Sequence, residues 1–124
     1  MQRQPAMITQ LPPADFSAWL TSLAGVASEP VLLDVREPWE VQTASVKVDG
    51  FTLLCISMAD IPARMAQLQE ELPADQPIAC LCHHGMRSLQ VANYLEKNGF
   101  TQVVNIHGGI NAWSQQRDTS VPLY

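Results

Sequence analysis

Three cysteines and three histidines are the groups in this chain best suited to nucleophilic or proton-transfer chemistry, and two of each fall within Cys80-Leu81-Cys82-His83-His84. The run Ile78-Ala79-Cys80-Leu81-Cys82 is apolar throughout and follows the breaker Pro77. Such a run reads as a strand buried on both faces, as in parallel sheets covered by helices. Cys82 then lies at the strand's carboxyl end, where open α/β sheets bind ligands because their loops lead into helix N-termini with free N–H groups. His83-His84-Gly85-Met86-Arg87-Ser88 forms that loop. Gly85 allows a positive-φ curl, so that successive N–H groups converge on the sulfur. A free thiol titrates near about 8.5 and is lowered by a helix start and a nearby cation. Arg87 is the cation in reach, and the spacing predicts a thiolate nucleophile at Cys82, with His83, His84 and Met86 on the rim.

The elements that must position this loop are legible on both sides of it. A helix is predicted over Arg87 to Asn98, with Val91, Ala92 and Leu95 on its inner face and Gly99 as terminator. Upstream, Met7-Ile8-Thr9 suggests a first edge strand. Pro12-Pro13-Ala14-Asp15 opens a helix through about Leu23 whose Phe16, Trp19, Leu20 and Leu23 face the core. After a connecting loop over 25–30, Val31-Leu32-Leu33-Asp34-Val35 repeats the buried-strand pattern. Asp34, Arg36, Glu37 and Glu40 then read as an ion-pair network tying that strand's end to a helix after Pro38. Thr52 to Ile56 is a further strand, in which Cys55 reads as a small buried hydrophobe. Asp60 is a candidate cap for a helix burying Ile61, Met65, Leu68 and Leu72. Gln102 to Ile106 is the last strand, and His107-Gly108-Gly109 turns into a helix to about Gln116, with Trp113 against the sheet. His107 is read as a turn residue bonded to local backbone, and the glycines as letting this turn pass close to the cysteine loop. From about residue 117 the chain reads as an irregular tail, with Pro122 and Tyr124 lying back on the domain.

The loop Cys82-His83-His84-Gly85-Met86-Arg87-Ser88, the segment from Leu32 to Glu40, the segment from Gly108 to Trp113 and the Val121-Pro122-Leu123-Tyr124 tail together resemble the rhodanese (sulfurtransferase) family, small single-domain bacterial type. The resemblance implies an α/β fold, rhodanese-like, with a central parallel five-stranded sheet and helices on both faces, in one domain over 1–124. It implies sulfur transfer through a Cys82 persulfide, from thiosulfate or a persulfide donor to cyanide or a thiol. His83, His84, Gly85, Met86, Arg87 and Ser88 would then bind the donor, Arg87 holding its anionic end. For Asp34 and Arg36 the resemblance implies a structural role. No cofactor and no metal are called for. Residues 44–51 depart from the family's commoner pattern, which carries a histidine there, so the path of this segment is left open.

Other chemistries fit less well. Cysteine-dependent phosphatases and arsenate reductases resemble a cysteine, five residues and an arginine, whereas four residues separate Cys82 from Arg87. A shorter loop closes a smaller ring of donors, better matched to one sulfur than to a tetrahedral phosphate. Cys80, Cys82, His83 and His84 have zinc-ligand types but lack the paired spacing of a zinc site. A non-catalytic binding or sulfur-carrier module is the remaining alternative, and the intact Cys82 weighs against loss of chemistry. With 124 residues, 47% hydrophobic, the chain suits one domain, and a net charge of -5 without a basic cluster weighs against nucleic acid or an anionic membrane. The partners expected are a small anionic sulfur donor such as thiosulfate and a protein persulfide donor or acceptor thiol. No apolar leader is evident in Met1 to Gln10, and an odd number of cysteines fits reduced thiols, so the expected location is cytoplasmic.

Overall fold

Apolar runs without polar alternation have no face to give to water, and the chain places them in the middle of a parallel sheet. In the computed structural model, which describes residues 7–26 and 28–124, this sheet has five strands. They are β1 (Thr9–Leu11), β2 (Val31–Asp34), β3 (Thr52–Cys55), β4 (Ile78–Leu81) and β5 (Val103–Ile106), in the order β1-β5-β4-β2-β3. All four pairings are parallel, with Leu33 beside Cys80 and Cys80 beside Asn105. Residues 1–6 and Ala27, parts of the leader and connecting-loop readings, lie outside the described residues.

Alternate residues of β2 to β5 serve two separate apolar layers. Leu33, Cys80, Cys82 and Val103 pack with Ile61, Met65 and Leu68 of α3 (Ile61–Glu71) and with Val91, Ala92 and Leu95 of α4 (Met86–Lys97). On the other face, Leu32, Ala79, Leu81 and Ile106 pack with Phe16 of α1 (Phe16–Ser22) and with Ile110 and Trp113 of α5 (Gly109–Gln116). Trp113 is buried and meets Phe16 edge-on at 4.9 Å between ring centroids. Each such large side chain contributes about 1.5–3 kcal/mol by leaving water. The fifth helix, α2 (Pro38–Thr43), is a short element just beyond β2. Residues 44–51, whose path the sequence left open, place Ala44, Val46 and Phe51 in the second layer.

Several boundaries differ from expectation, for local reasons. β1 covers Thr9–Leu11 rather than 7–9, because pairing with β5 sets Thr9 opposite Val104 and Leu11 opposite Ile106. Asp60 does not cap α3 through its side chain; a 3-10 turn over Met58–Asp60 feeds directly into the helix. Cys55 is exposed rather than buried, since β3 is an edge strand with no neighbour beyond it. Trp19 is half-buried, whereas Phe16 is enclosed. Among the described residues, no helix is long and apolar enough to cross a membrane.

Candidate active site

β4 ends at Leu81, and the next residue, Cys82, is 1% exposed, on the α3 and α4 side of the sheet in one apolar layer with Val35, Ile56, Val91 and Ala92. The loop supplies its polar neighbours. The Gly85 N–H donates to Cys82 Sγ at 3.1 Å and the Ser88 N–H at 3.3 Å, while Ser88 Oγ lies 3.3 Å from the same sulfur. Two main-chain donors therefore reach the sulfur, fewer than the ring that the loop length suggests.

Gly85 precedes the first residue of α4 in the left-handed region, with φ of 98°, which aims its N–H back at the sulfur. The turn after β5 closes on the other side of the loop. Ile110 N–H donates to the Cys82 carbonyl at 2.8 Å and Asn111 N–H to the His83 carbonyl at 3.1 Å. A Cβ at Gly109 would meet those two carbonyls, so the close passage expected of this turn does require glycine. The start of α5 is thus occupied by the loop's own backbone. His107 is exposed, and its main-chain N–H donates to the Leu11 carbonyl.

Arg87 is not a free cation. Its Nη1 donates to Glu40 Oε2 and its Nη2 to Glu40 Oε1, both at 2.8 Å, a two-pronged pair whose guanidinium side is about one-third exposed and whose carboxylate is buried. Arg87 holds the Glu40 carboxyl down at about 2, against the opposing effect of burial. Glu40 also accepts the Glu37 N–H at 2.9 Å and the Tyr124 hydroxyl at 3.0 Å. Of the charge network expected near Pro38, Asp34 and Arg36 do pair, whereas Glu40 pairs with Arg87 instead and Glu37 serves in the cap of α2. Arg36 bonds Asp34 at 2.7 Å, and its remaining N–H groups reach the Ala44 carbonyl at 2.8 Å, the Glu40 carbonyl at 3.2 Å and the Tyr124 hydroxyl at 3.0 Å.

Tyr124 does return to the domain, and it lands on the loop. Its ring stacks on His83 at 3.9 Å, His83 stacks on His84 at 3.9 Å, and Trp39 meets Tyr124 edge-on at 6.1 Å. Burial, reinforced by the neighbouring His84, pushes the His83 pKa down and so disfavours a charged imidazole at the mouth. Met86 is 72% exposed at the mouth. Cys80 lies wholly inside the sheet, where burial and then the adjacent Cys82 push its thiol far up.

The structure also shows a residue that the sequence reading passed over. Asn105, buried in β5, lies with its Oδ1 2.6 Å from Ser88 Oγ, and its Nδ2 donates to the Gly85 carbonyl at 3.0 Å. A polar residue within an otherwise apolar buried strand was the available signal. Among the described residues, no three His, Cys, Asp or Glu side chains form a metal-binding group.

A model of the Rhodanese-like domain family matches residues 17–116. The chain is 40% identical over 96 residues to the chloroplastic Rhodanese-like/PpiC domain-containing protein 12 of Arabidopsis thaliana, covering 77% of this chain and 31% of that protein. It is 35% identical over 82 residues to the Thiosulfate sulfurtransferase GlpE of Vibrio cholerae, covering 66% of this chain and 70% of the relative. It therefore spans less than a third of the plant protein but over two-thirds of the bacterial one. A rhodanese-related protein of Thermoplasma volcanium shares the fold, with a TM-score of 0.69 at 24% identity over 94% of this chain and 99% of its own.

Proposed function

Because this chain belongs to the rhodanese-like domain family, we propose that it is a sulfurtransferase working through a persulfide on Cys82. One observation carries this reading: the two main-chain N–H groups aimed at Cys82 Sγ, which suit a sulfur that bears negative charge during turnover. The Cys82 thiolate attacks the outer sulfur of thiosulfate. A new S–S bond forms, the bond to the sulfonate sulfur breaks, and sulfite leaves with the electron pair. Cyanide or a thiolate then attacks the outer sulfur of the persulfide, taking it away and returning the Cys82 thiolate. The cycle is closed in electrons and calls for no cofactor.

His83, His84 and Met86 form the mouth, Gly85 and Ser88 hold the sulfur, and Arg87 is the group nearest the loop that suits a sulfonate. The commitment of Arg87 to Glu40 favours a second reading of the donor. A persulfide on a protein or a small thiol carries less charge than thiosulfate and needs less of that guanidinium. Both readings place the chemistry on Cys82 and apart from nucleic acid and membrane, in a cytoplasmic setting.

Intact mass after incubation with thiosulfate, or with a glutathione persulfide donor, tests both. A gain of about 32 Da per transferred sulfur is expected, absent in Cys82→Ser and kept in Cys55→Ser. No gain with either donor, or a gain that survives Cys82→Ser, overturns the proposal.

A further inference from the structure

Asn105 stands at a β5 position whose backbone partner is Cys80, on the face that packs against α4, and it is 1% exposed. Its amide can point only one way. Nδ2 donates to the Gly85 carbonyl and to Gln10 Oε1, each at 3.0 Å, and since a carbonyl only accepts, the Oδ1 end must be the one facing Ser88. An amide oxygen carries no proton, so at 2.6 Å the Ser88 hydroxyl is the donor. A hydroxyl has one proton. With that proton committed to Asn105 at the shorter distance, Ser88 Oγ turns its lone pairs towards Cys82 Sγ, 3.3 Å away.

We propose that Asn105 is a positioning residue that sets the direction of the Ser88 hydroxyl, and through it the form in which Cys82 rests. With the hydroxyl turned to Asn105, the sulfur keeps its proton and donates it to Ser88. When the thiol ionises, the proton leaves to water, the S–H···O bond breaks, and the hydroxyl rotates to donate to sulfur, leaving Asn105 Oδ1 without its donor. The N–H groups of Gly85 and Ser88 favour the anion throughout, so Asn105 acts against them and restrains the nucleophile. The inference rests on Cys82 being the nucleophile.

The charged and titratable groups on the elements around the sulfur are few, and α3 gives this layer only the apolar Ile61, Met65 and Leu68. α4 contributes Arg87, matched by Glu40 from α2; the loop contributes His83 and His84; β4 contributes the Cys80 thiol; β2 ends in the closed Asp34–Arg36 pair. β5 places no charged side chain between Val103 and Ile106.

The test is the pH dependence of Cys82 alkylation by iodoacetamide, followed by intact mass in the full chain carrying Cys55→Ser. Alkylation needs no sulfur donor, so failure of this inference and failure of sulfur transfer are separate results. Asn105→Leu, near-isosteric, releases the hydroxyl to the sulfur and lowers the midpoint by about one pH unit. Asn105→Asp keeps an acceptor and charges it, raising the midpoint by about one unit. Mere loosening of the loop would draw the N–H donors away and raise both. Adding Ser88→Ala to Asn105→Leu abolishes the downward shift. The proposal is overturned by an unmoved or raised midpoint in Asn105→Leu, by an unmoved or lowered one in Asn105→Asp, or by a downward shift that survives Ser88→Ala. If Asn105→Leu does not fold, Asn105→Val, which likewise lacks an acceptor, takes its place and is read by the same outcomes.

Discussion

Two arginine–carboxylate pairs occupy the same edge of the sheet, joined through one tyrosine hydroxyl, and differ mainly in their access to water. The Arg36 guanidinium is fully enclosed with Asp34, and carbonyls of Glu40 and Ala44 take up its remaining N–H groups. Burial opposes its charge, but hydrogen bonds to Asp34 and Tyr124 outweigh that and keep its pKa raised. Arg87 meets a buried carboxylate from the wet side, beside the loop that carries Cys82. The same chemical pair thus works as a fastener where it is closed on all sides, and as part of the mouth where one partner reaches solvent. Enclosure makes a pair costly to break, whereas exposure leaves its cation open to competition from an incoming anion.

The largest expected effect breaks the enclosed pair. Arg36→Leu leaves the Asp34 carboxylate buried without its partner and should lower unfolding stability by about 3–5 kcal/mol in a denaturant titration. A loss below about 1 kcal/mol would show that water reaches this pair after all. Next comes the rim carboxylate. The folded pKa of Glu40, about 2, lies below its ordinary 4.5, so its contribution is present above pH 4.5 and is lost as pH falls towards 2. That loss should amount to about 2–3 kcal/mol in acid unfolding, and Glu40→Gln should flatten the profile over the same window. A profile equally steep in Glu40→Gln would assign the acid sensitivity to other carboxyls.

Arg87→Ala separates the two roles. It should cost about 1–2 kcal/mol of stability, because Glu40 keeps the Tyr124 hydroxyl and the Glu37 N–H, yet slow thiosulfate turnover by about tenfold or more. Full turnover with thiosulfate would favour the less charged persulfide donor. The smallest change is Tyr124→Phe, which keeps the stack on His83 but unlinks the two pairs. About 1 kcal/mol in thermal or denaturant unfolding is expected. A larger loss would mean that the pairs act as one network.

The fold and the core of the candidate site were legible because their signals are short-range. Strand β4, the glycine at the turn, the start of α4 and the place of Cys82 between them all follow from residues within one loop of each other. Cys55 misled for the same reason: its segment reads as a strand, but whether a strand is central or at an edge depends on which segments pair beside it. Arg87 misled because an arginine after a cysteine looks unpartnered until a carboxylate 47 residues earlier is folded against it.

Local order along the chain therefore determined the strands, the helices and the sulfur at a strand end, since hydrophobic period and turn chemistry act over a few residues. The tertiary structure alone decided that Arg87 closes on Glu40, that Tyr124 reaches Arg36 across 88 positions, and that Asn105 stands behind Ser88 across 17. Those contacts join side chains from different elements. Strand order and the docking of α4 and the tail set their distances, and no local pattern records either.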